Sequence, residues 1–163
     1  MPRLKILQSA DISAENRFDC DAPVTRAEFL KLLMLAMELE VRAYDIPFRD
    51  VPGDMWYYGY VATAYESGLA GGYDGSTFGP DDPISRQDMA VLISRAMKLC
   101  GMAVSGGAGG AFADAESIAP YAAEAVSALA GAGVIAGLED GTFAPLASAT
   151  RAEAVQLLYR VRG

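Results

Sequence analysis

Histidine is absent from the 163 residues of this chain. Its absence removes histidine-based acid–base catalysis, Ser-His-Asp and Cys-His nucleophile systems, and histidine metal sites. Cysteine is nearly as scarce, since Cys20 and Cys100 stand too far apart for a CxxC motif and are too few for a zinc cluster or a disulfide framework. They are expected to be buried thiols, with a single disulfide as the other reading. Cations are also in deficit: 13 Lys and Arg face 21 Asp and Glu, a formal net charge of -8. That balance opposes broad electrostatic binding to nucleic acid or an anionic membrane, so any anionic ligand must be held by local basic residues. Long apolar runs are missing too. The richest, Phe29 to Leu39, is broken by Lys31 and Glu38, whereas a membrane span needs roughly 18–20 apolar residues. Residues Met1 to Gln8 lack the continuous apolar segment and small-residue cleavage site of an export signal, so the leader of an exported parent is expected outside this chain.

What is present is a hydrophobic fraction of 52%, ample for a compact core, and an internal repeat. Phe48-Arg49-Asp50-Val51 opens a block that runs through Trp56, Gly68, Asp74-Gly75, Phe78, Pro80 and Ile84 to Ser85-Arg86-Gln87-Asp88. The order recurs from Phe112-Ala113-Asp114-Ala115 through Tyr121, Gly133, Asp140-Gly141, Phe143 and Pro145 to Thr150-Arg151-Ala152-Glu153. The offset is 64 at Phe48 and Phe112 and 65 at Phe78 and Phe143, which places a one-residue insertion in a loop between them. Near the amino terminus, Phe18, Pro23, Val24 and Thr25-Arg26-Ala27-Glu28 repeat the second half of the unit alone. The expected organisation is a partial first repeat over 1–44, a second repeat over 45–100, a flexible glycine-rich linker over 101–110 and a third repeat over 111–163.

Each unit reads as helix, turn-rich loop, helix. First helices are expected over about 56–67 and 121–132, ended by Gly68 and Gly133 in the left-handed cap conformation. Second helices start at Thr25, Ser85 and Thr150, where an acid three residues on completes a capping box or a near variant. The stretches that follow, such as Phe29-Leu30 with Leu32 to Leu35, are apolar around most of a helix and belong in a core. The fold class is therefore all-α: helix-loop-helix repeats arranged as a pseudo-threefold bundle, with second helices central and first helices outside.

Capping and burial leave Arg26, Arg86 and Arg151 unexplained. A cation in the first turn opposes the helix dipole by about 0.3–1 kcal/mol when exposed, so its appearance in all three units implies a compensating partner. Two readings stand: a salt bridge to an acid such as Asp50 or Asp114, or an anionic ligand held jointly by guanidinium and free helix N–H groups. Trp56 is likewise open between core packing and a flat wall for a sugar ring. Gly71-Gly72 is open between a plain turn and close approach of a ligand to the backbone.

The ordered set Phe-x-Asp-Val, Trp, Gly, Asp-Gly-x-x-Phe-x-Pro and Thr-Arg-Ala-Glu resembles the S-layer homology repeat of bacterial cell-surface proteins, over nearly the whole chain outside the glycine-rich stretch and the first few residues. The resemblance implies a pseudo-trimeric helical module of three repeats on the cell surface. Its partner would be a secondary cell-wall polysaccharide, commonly bearing pyruvylated N-acetylmannosamine, an anionic sugar. Carried over by position, the carbohydrate-binding candidates are Arg26, Arg86, Arg151, Asp50, Asp114, Trp56 and Gly72. Three departures stand out: Ser85-Arg86-Gln87-Asp88 replaces Thr-Arg-Ala-Glu, Tyr121 stands where tryptophan is expected, and the first unit lacks its front half. In such a module ligand grooves lie between units, and the one between the second and third is expected to be the most intact. The implied role is non-covalent wall anchoring, with a degenerate spacer or protein-interaction module as the alternative. Paired carboxylates can hydrolyse glycosides, but the acids here are accounted for by caps, turns and solvated faces. No enzyme, cofactor or metal site is expected, and the oligomeric state is left open.

Overall fold

The computed structural model describes residues 19–104, 109 and 111–163. Phe18 and the segment Leu4 to Gln8, which the repeat assigns to the first unit, lie outside the described residues, as do 105–108 and 110 of the glycine-rich stretch. Among the described residues five α-helices follow one another: α1 (Arg26–Ala36), α2 (Tyr58–Glu66), α3 (Arg86–Leu99), α4 (Pro120–Gly131) and α5 (Arg151–Arg162), with a 3-10 turn at Ala115–Ser117 before α4. The boundaries agree with the expected ones to within two residues. Gly68 and Gly133 end α2 and α4 at φ of 72° and 73°, a conformation that costs glycine little because it has no Cβ.

The three second helices, α1, α3 and α5, start around a common point. Val24 N–H donates to Ala149 O (2.9 Å), Ala149 N–H to Ile84 O (3.0 Å) and Ile84 N–H to Val24 O (3.0 Å). This closed ring of three backbone hydrogen bonds is completely buried. It is a pseudo-threefold hub, flanked by isolated bridges pairing Pro23 with Thr150, Thr25 with Pro83 and Ser85 with Ser148.

Helix starts leave backbone amides without intrahelical partners, and here the neighbouring unit supplies them. Arg26 and Ala27 donate to Asp82 O and Pro80 O, Arg86 and Gln87 to Ala147 O and Pro145 O, and Arg151 and Ala152 to Ala22 O and Cys20 O, all at 2.9–3.1 Å. The third amide of each helix goes to its own cap hydroxyl: Glu28 to Thr25, Asp88 to Ser85 and Glu153 to Thr150, each at 3.2 Å. The amides expected to be free for an anion are therefore all occupied. The helix starts are sealed by the chain itself.

Packing also crosses units. Helix α2 lies against α1, and α4 against α3, so each first helix leans on the second helix of the preceding unit. Phe29, Leu30, Leu32, Leu33 and Met34 of α1 are buried, as are Met89, Ala90 and Ile93 of α3. Helix α5 buries only Ala154, Leu158 and Val161, in keeping with its more polar sequence.

Asp50 and Asp114 tie each unit's front to its back. The Asp50 carboxylate accepts from Phe78 N–H (2.9 Å) and Gly79 N–H (2.7 Å), and Asp114 accepts from Phe143 N–H and Ala144 N–H (both 2.8 Å). The Phe143 amide is the main cause that holds the Asp114 carboxyl below its ordinary value of 3.8. Clamped this way, Ala144 takes φ of 54°, in the left-handed region that Gly79 occupies in the second unit at 72°.

The cysteines depart from expectation: Cys20 and Cys100 are both exposed, and neither is in a disulfide. Cys100 is the C-cap of α3, and Cys20 lies in the loop whose carbonyl serves α5, so both sit at element ends rather than inside.

Two stability measurements test this description. Ala144→Gly should raise the unfolding free energy by about 0.5–1 kcal/mol in urea melts, because relief of left-handed strain exceeds glycine's entropic cost. A carboxylate whose folded pKa lies below 3.8 contributes stability that is complete above that pH and lost as the pH falls beneath it. Asp114→Asn should be less stable than the parent chain at neutral pH, and the gap should narrow below pH 3.8.

Candidate functional site

Because the second helices meet at their starts, each first-turn arginine reaches the unit ahead of it. Arg86 Nε donates to Phe143 O at 2.7 Å, its guanidinium lies 5.2 Å from the Phe143 ring centre, and Nη1 pairs with the Glu153 carboxylate. Arg151 Nη2 pairs with Glu28 Oε1 at 3.0 Å, with the two side chains only 14% and 7% exposed. Glu28 and Glu153 each use the other oxygen to accept from the N-cap amide, Thr25 N–H (3.0 Å) and Thr150 N–H (2.8 Å). One glutamate thus completes a capping box in its own helix and neutralises the arginine of the preceding unit. This is the salt-bridge reading, but the partners are the box glutamates and not Asp50 or Asp114, whose oxygens hold backbone amides.

The third member of the cycle differs. Arg26 Nε donates to Phe78 O and Nη2 to Gly71 O, both at 3.1 Å, and its guanidinium stands 4.7 Å from the Tyr73 ring centre and 4.9 Å from that of Phe78. Among the described residues it pairs with no carboxylate. Position 88, which by the cycle should neutralise it, is aspartate, one methylene shorter than glutamate. Its Oδ1 accepts from the Tyr121 hydroxyl at 2.7 Å, and the reciprocal half of the capping box is not made at Ser85. Gln87 donates from Nε2 to the same hydroxyl (3.1 Å) and accepts Ala119 N–H (3.0 Å), fixing Tyr121 at the start of α4. Burial, then the bond to Asp88, pushes the Tyr121 phenol up to about 12.

Around Arg26, the Tyr73 hydroxyl is raised by burial against the opposing pull of Arg26, with Asp82 hydrogen-bonded to it. The corresponding space at Arg86 is a cavity of about 240 Å³ lined by residues that include Ile135, Leu138, Phe143, Glu153 and Arg160. The two grooves thus differ in volume and in how their helix-start arginines are paired. The groove between the second and third units has the cavity, whose arginines are Arg86, paired with Glu153, and Arg160, which donates to Val134 O, while the one between the first and second has a helix-start arginine that pairs with no carboxylate among the described residues. For an anionic ligand charge is the stronger criterion, because a newcomer at Arg86 must displace Glu153.

The other candidates are scattered. Trp56 is 51% exposed, so it is not a core residue. Its ring neighbours are Tyr57 and Tyr60, and Lys31 of α1 stands 5.3 Å above it, whereas Arg26 rests on Tyr73 and Phe78. Gly72 belongs to the fold, since a Cβ there would lie 2.5 Å from Phe48 Cε1 and 2.9 Å from Asp74 O. Gly71, with open space around it, is the glycine whose carbonyl holds Arg26. Tyr73 and Phe78 were not singled out as partners of Arg26. The available signals were an aromatic directly after Gly71-Gly72 and the phenylalanine repeated ahead of every second helix.

Comparison with known proteins agrees with this repeat. The chain is 31% identical over 146 residues to an amylopullulanase of Thermoanaerobacterium thermosulfurigenes, a match covering 89% of this chain and 8% of that protein. It is 32% identical over 126 residues to a surface-layer 125 kDa protein of Lysinibacillus sphaericus, covering 77% of this chain and 10% of that protein. It is 32% identical over 142 residues to a cellulosome-anchoring protein of Acetivibrio thermocellus, covering 84% of this chain and 31% of that protein. The chain therefore spans less than a third of each of these relatives. The family model described as the S-layer homology domain matches residues 47–90 and 111–155, the two full repeats built on Arg86 and Arg151, and the chain belongs to that family.

Proposed function

We propose that this chain fastens a bacterial surface protein to the cell wall by binding an anionic secondary cell-wall polysaccharide, with Arg26 as the seat of the negative charge. Binding rather than catalysis is assigned because the same module recurs in an amylopullulanase, a surface-layer protein and a cellulosome-anchoring protein, whose names share no reaction. In the amylopullulanase it occupies 8% of the length. Its place is the cell surface, and among the described residues no helix is long and apolar enough to cross a membrane.

The observation that carries the reading is the uneven cycle of arginines. Breaking a buried ion pair by removing one partner costs about 3–5 kcal/mol, and less at Glu153, which is partly open to water. A ligand carboxylate at Arg151 or Arg86 must offset that loss before it gains anything. At Arg26 no carboxylate is displaced, and a carboxylate such as that of a pyruvyl acetal makes charge-assisted hydrogen bonds with its guanidinium. Tyr73, Phe78 and Gly71 surround that cation with the aromatic surface and open backbone that a sugar ring can cover. Arg86, Arg151, Asp50, Asp114 and Gly72 serve this site by holding the grooves in shape, and Trp56 offers a separate exposed aromatic face.

Hydrogen bonds to a charged group contribute about 1.5–3 kcal/mol, and 1.4 kcal/mol is tenfold in affinity. Arg26→Ala should therefore weaken co-sedimentation with wall sacculi that retain their secondary polymer by ten-fold or more, with helicity retained and the melting temperature lowered only by the loss of its bonds to Phe78 O and Gly71 O. Stripping the polymer from the sacculi should abolish sedimentation of the parent chain. Sedimentation indifferent to both changes would make the module a spacer.

A further inference from the structure

We infer that Tyr121 is a positioning residue that keeps the seat at Arg26 open, by capturing the Asp88 carboxylate that would otherwise close the third cross-unit ion pair. The inference rests on the reading that Arg26 receives the ligand's negative charge.

Glu28, Asp88 and Glu153 occupy the same place, three residues after the caps Thr25, Ser85 and Thr150. Glu153 and Glu28 pair with the first-turn arginine of the preceding unit in the cycle, and by the same equivalence the partner of Asp88 is Arg26. Were the shorter side chain alone responsible for the missing pair, Asp88 would be left to water or to a bridging water on Arg26, since a deficit of about 1.5 Å is one bond length. Instead its Oδ1 is held at 2.7 Å by a phenol. That phenol is in turn held by Gln87, whose side chain is buried and also binds the α4 backbone at Ala119.

The sequence pattern of the repeat isolates the same three residues. Gln87 and Asp88 replace the Ala-Glu of the other two units, and Tyr121 replaces the tryptophan of the second unit. Departures separated by more than thirty residues thus meet in one hydrogen-bonded cluster. The equivalent of Tyr121 is Trp56, which has no hydroxyl. Trp56 stands against α1 through Lys31, and in that helix the Glu28 oxygens go to Thr25 and Arg151, so that pair is closed. At the two described first helices the residue at the start thus goes with the fate of the acid in the preceding helix, a tyrosine with the open pair and a tryptophan with the closed one. Tyr121 selects the open state at a groove it does not itself form.

The test compares the parent chain with Tyr121→Phe, Asp88→Asn, the double variant and Arg26→Ala, using sedimentation with polymer-bearing wall sacculi and the Arg26 side-chain Nε–H resonance without sacculi. Tyr121→Phe releases Asp88 toward Arg26. It should weaken binding about three- to tenfold and shift the Arg26 resonance, whereas the double variant, which has no charge to release, should restore both to parental values. Asp88→Asn alone, which keeps its backbone bond to Ser85, should bind at least as well as the parent chain. It also serves as the decisive variant should Tyr121→Phe melt early: binding below the parental level would then overturn the inference. Loss of binding in Arg26→Ala with parental binding in Tyr121→Phe would overturn the inference and leave the anchoring reading standing. A weakened Tyr121→Phe that Asp88→Asn does not rescue would overturn it as well, because Tyr121 would then act by another route. Parental binding by Arg26→Ala would remove the seat itself.

Discussion

The closed ring of backbone hydrogen bonds joining Val24, Ala149 and Ile84 sets the geometry of everything around it. Each of these residues directly precedes a helix cap, so the ring fixes three helix starts at a common buried point. Once they are fixed, the first-turn amides of each helix meet carbonyls of the next unit, and the first-turn arginines of α3 and α5 meet its acids. Sealing the amides in this way avoids the cost of buried unpaired donors. It also takes from the helix starts the anion-binding capacity they would have if open, so in the proposed function recognition of charge falls to the side chains.

Around that hub the arginines form a cycle in which identical positions have unlike fates. Arg86 and Arg151 are neutralised by glutamates that also cap their own helices, which offsets the unfavourable cation at a helix start. Arg26 is satisfied instead by two carbonyls and two aromatic faces. Such contacts hold a guanidinium in place without cancelling its charge. A chain with a net charge of -8 thus keeps at a unit boundary an ordered helix-start cation that has no acid partner among the described residues, the local basic feature that the proposed acidic ligand calls for.

The fold was largely legible because its determinants are local and repeated. The cap residues Thr25, Ser85 and Thr150 marked the helix starts, and Gly68 and Gly133 marked two helix ends. The apolar faces of α1 and α3 identified the centre. The site was less legible because its contacts join units through tertiary geometry. Nothing in Thr-Arg-Ala-Glu says that its acid serves the arginine of the preceding unit, so Asp50 and Asp114 were natural partners on paper, whereas the fold uses both to clamp loops. Amides that look free in a single helix are sealed by the next unit's carbonyls, which no single-repeat reading contains. Gln87, Asp88 and Tyr121 were each visible as departures from the pattern, but their convergence on one hydroxyl required coordinates.

The most direct test of this account is a crystal structure of the chain with an acidic fragment of secondary cell-wall polymer bound. The fragment's carboxylate should lie within hydrogen-bonding distance of the Arg26 guanidinium, beside Tyr73 and Gly71, with the Arg86–Glu153 and Arg151–Glu28 pairs undisturbed. A carboxylate seated on Arg86 or Arg151 with its glutamate displaced, and Arg26 left untouched, would contradict the account.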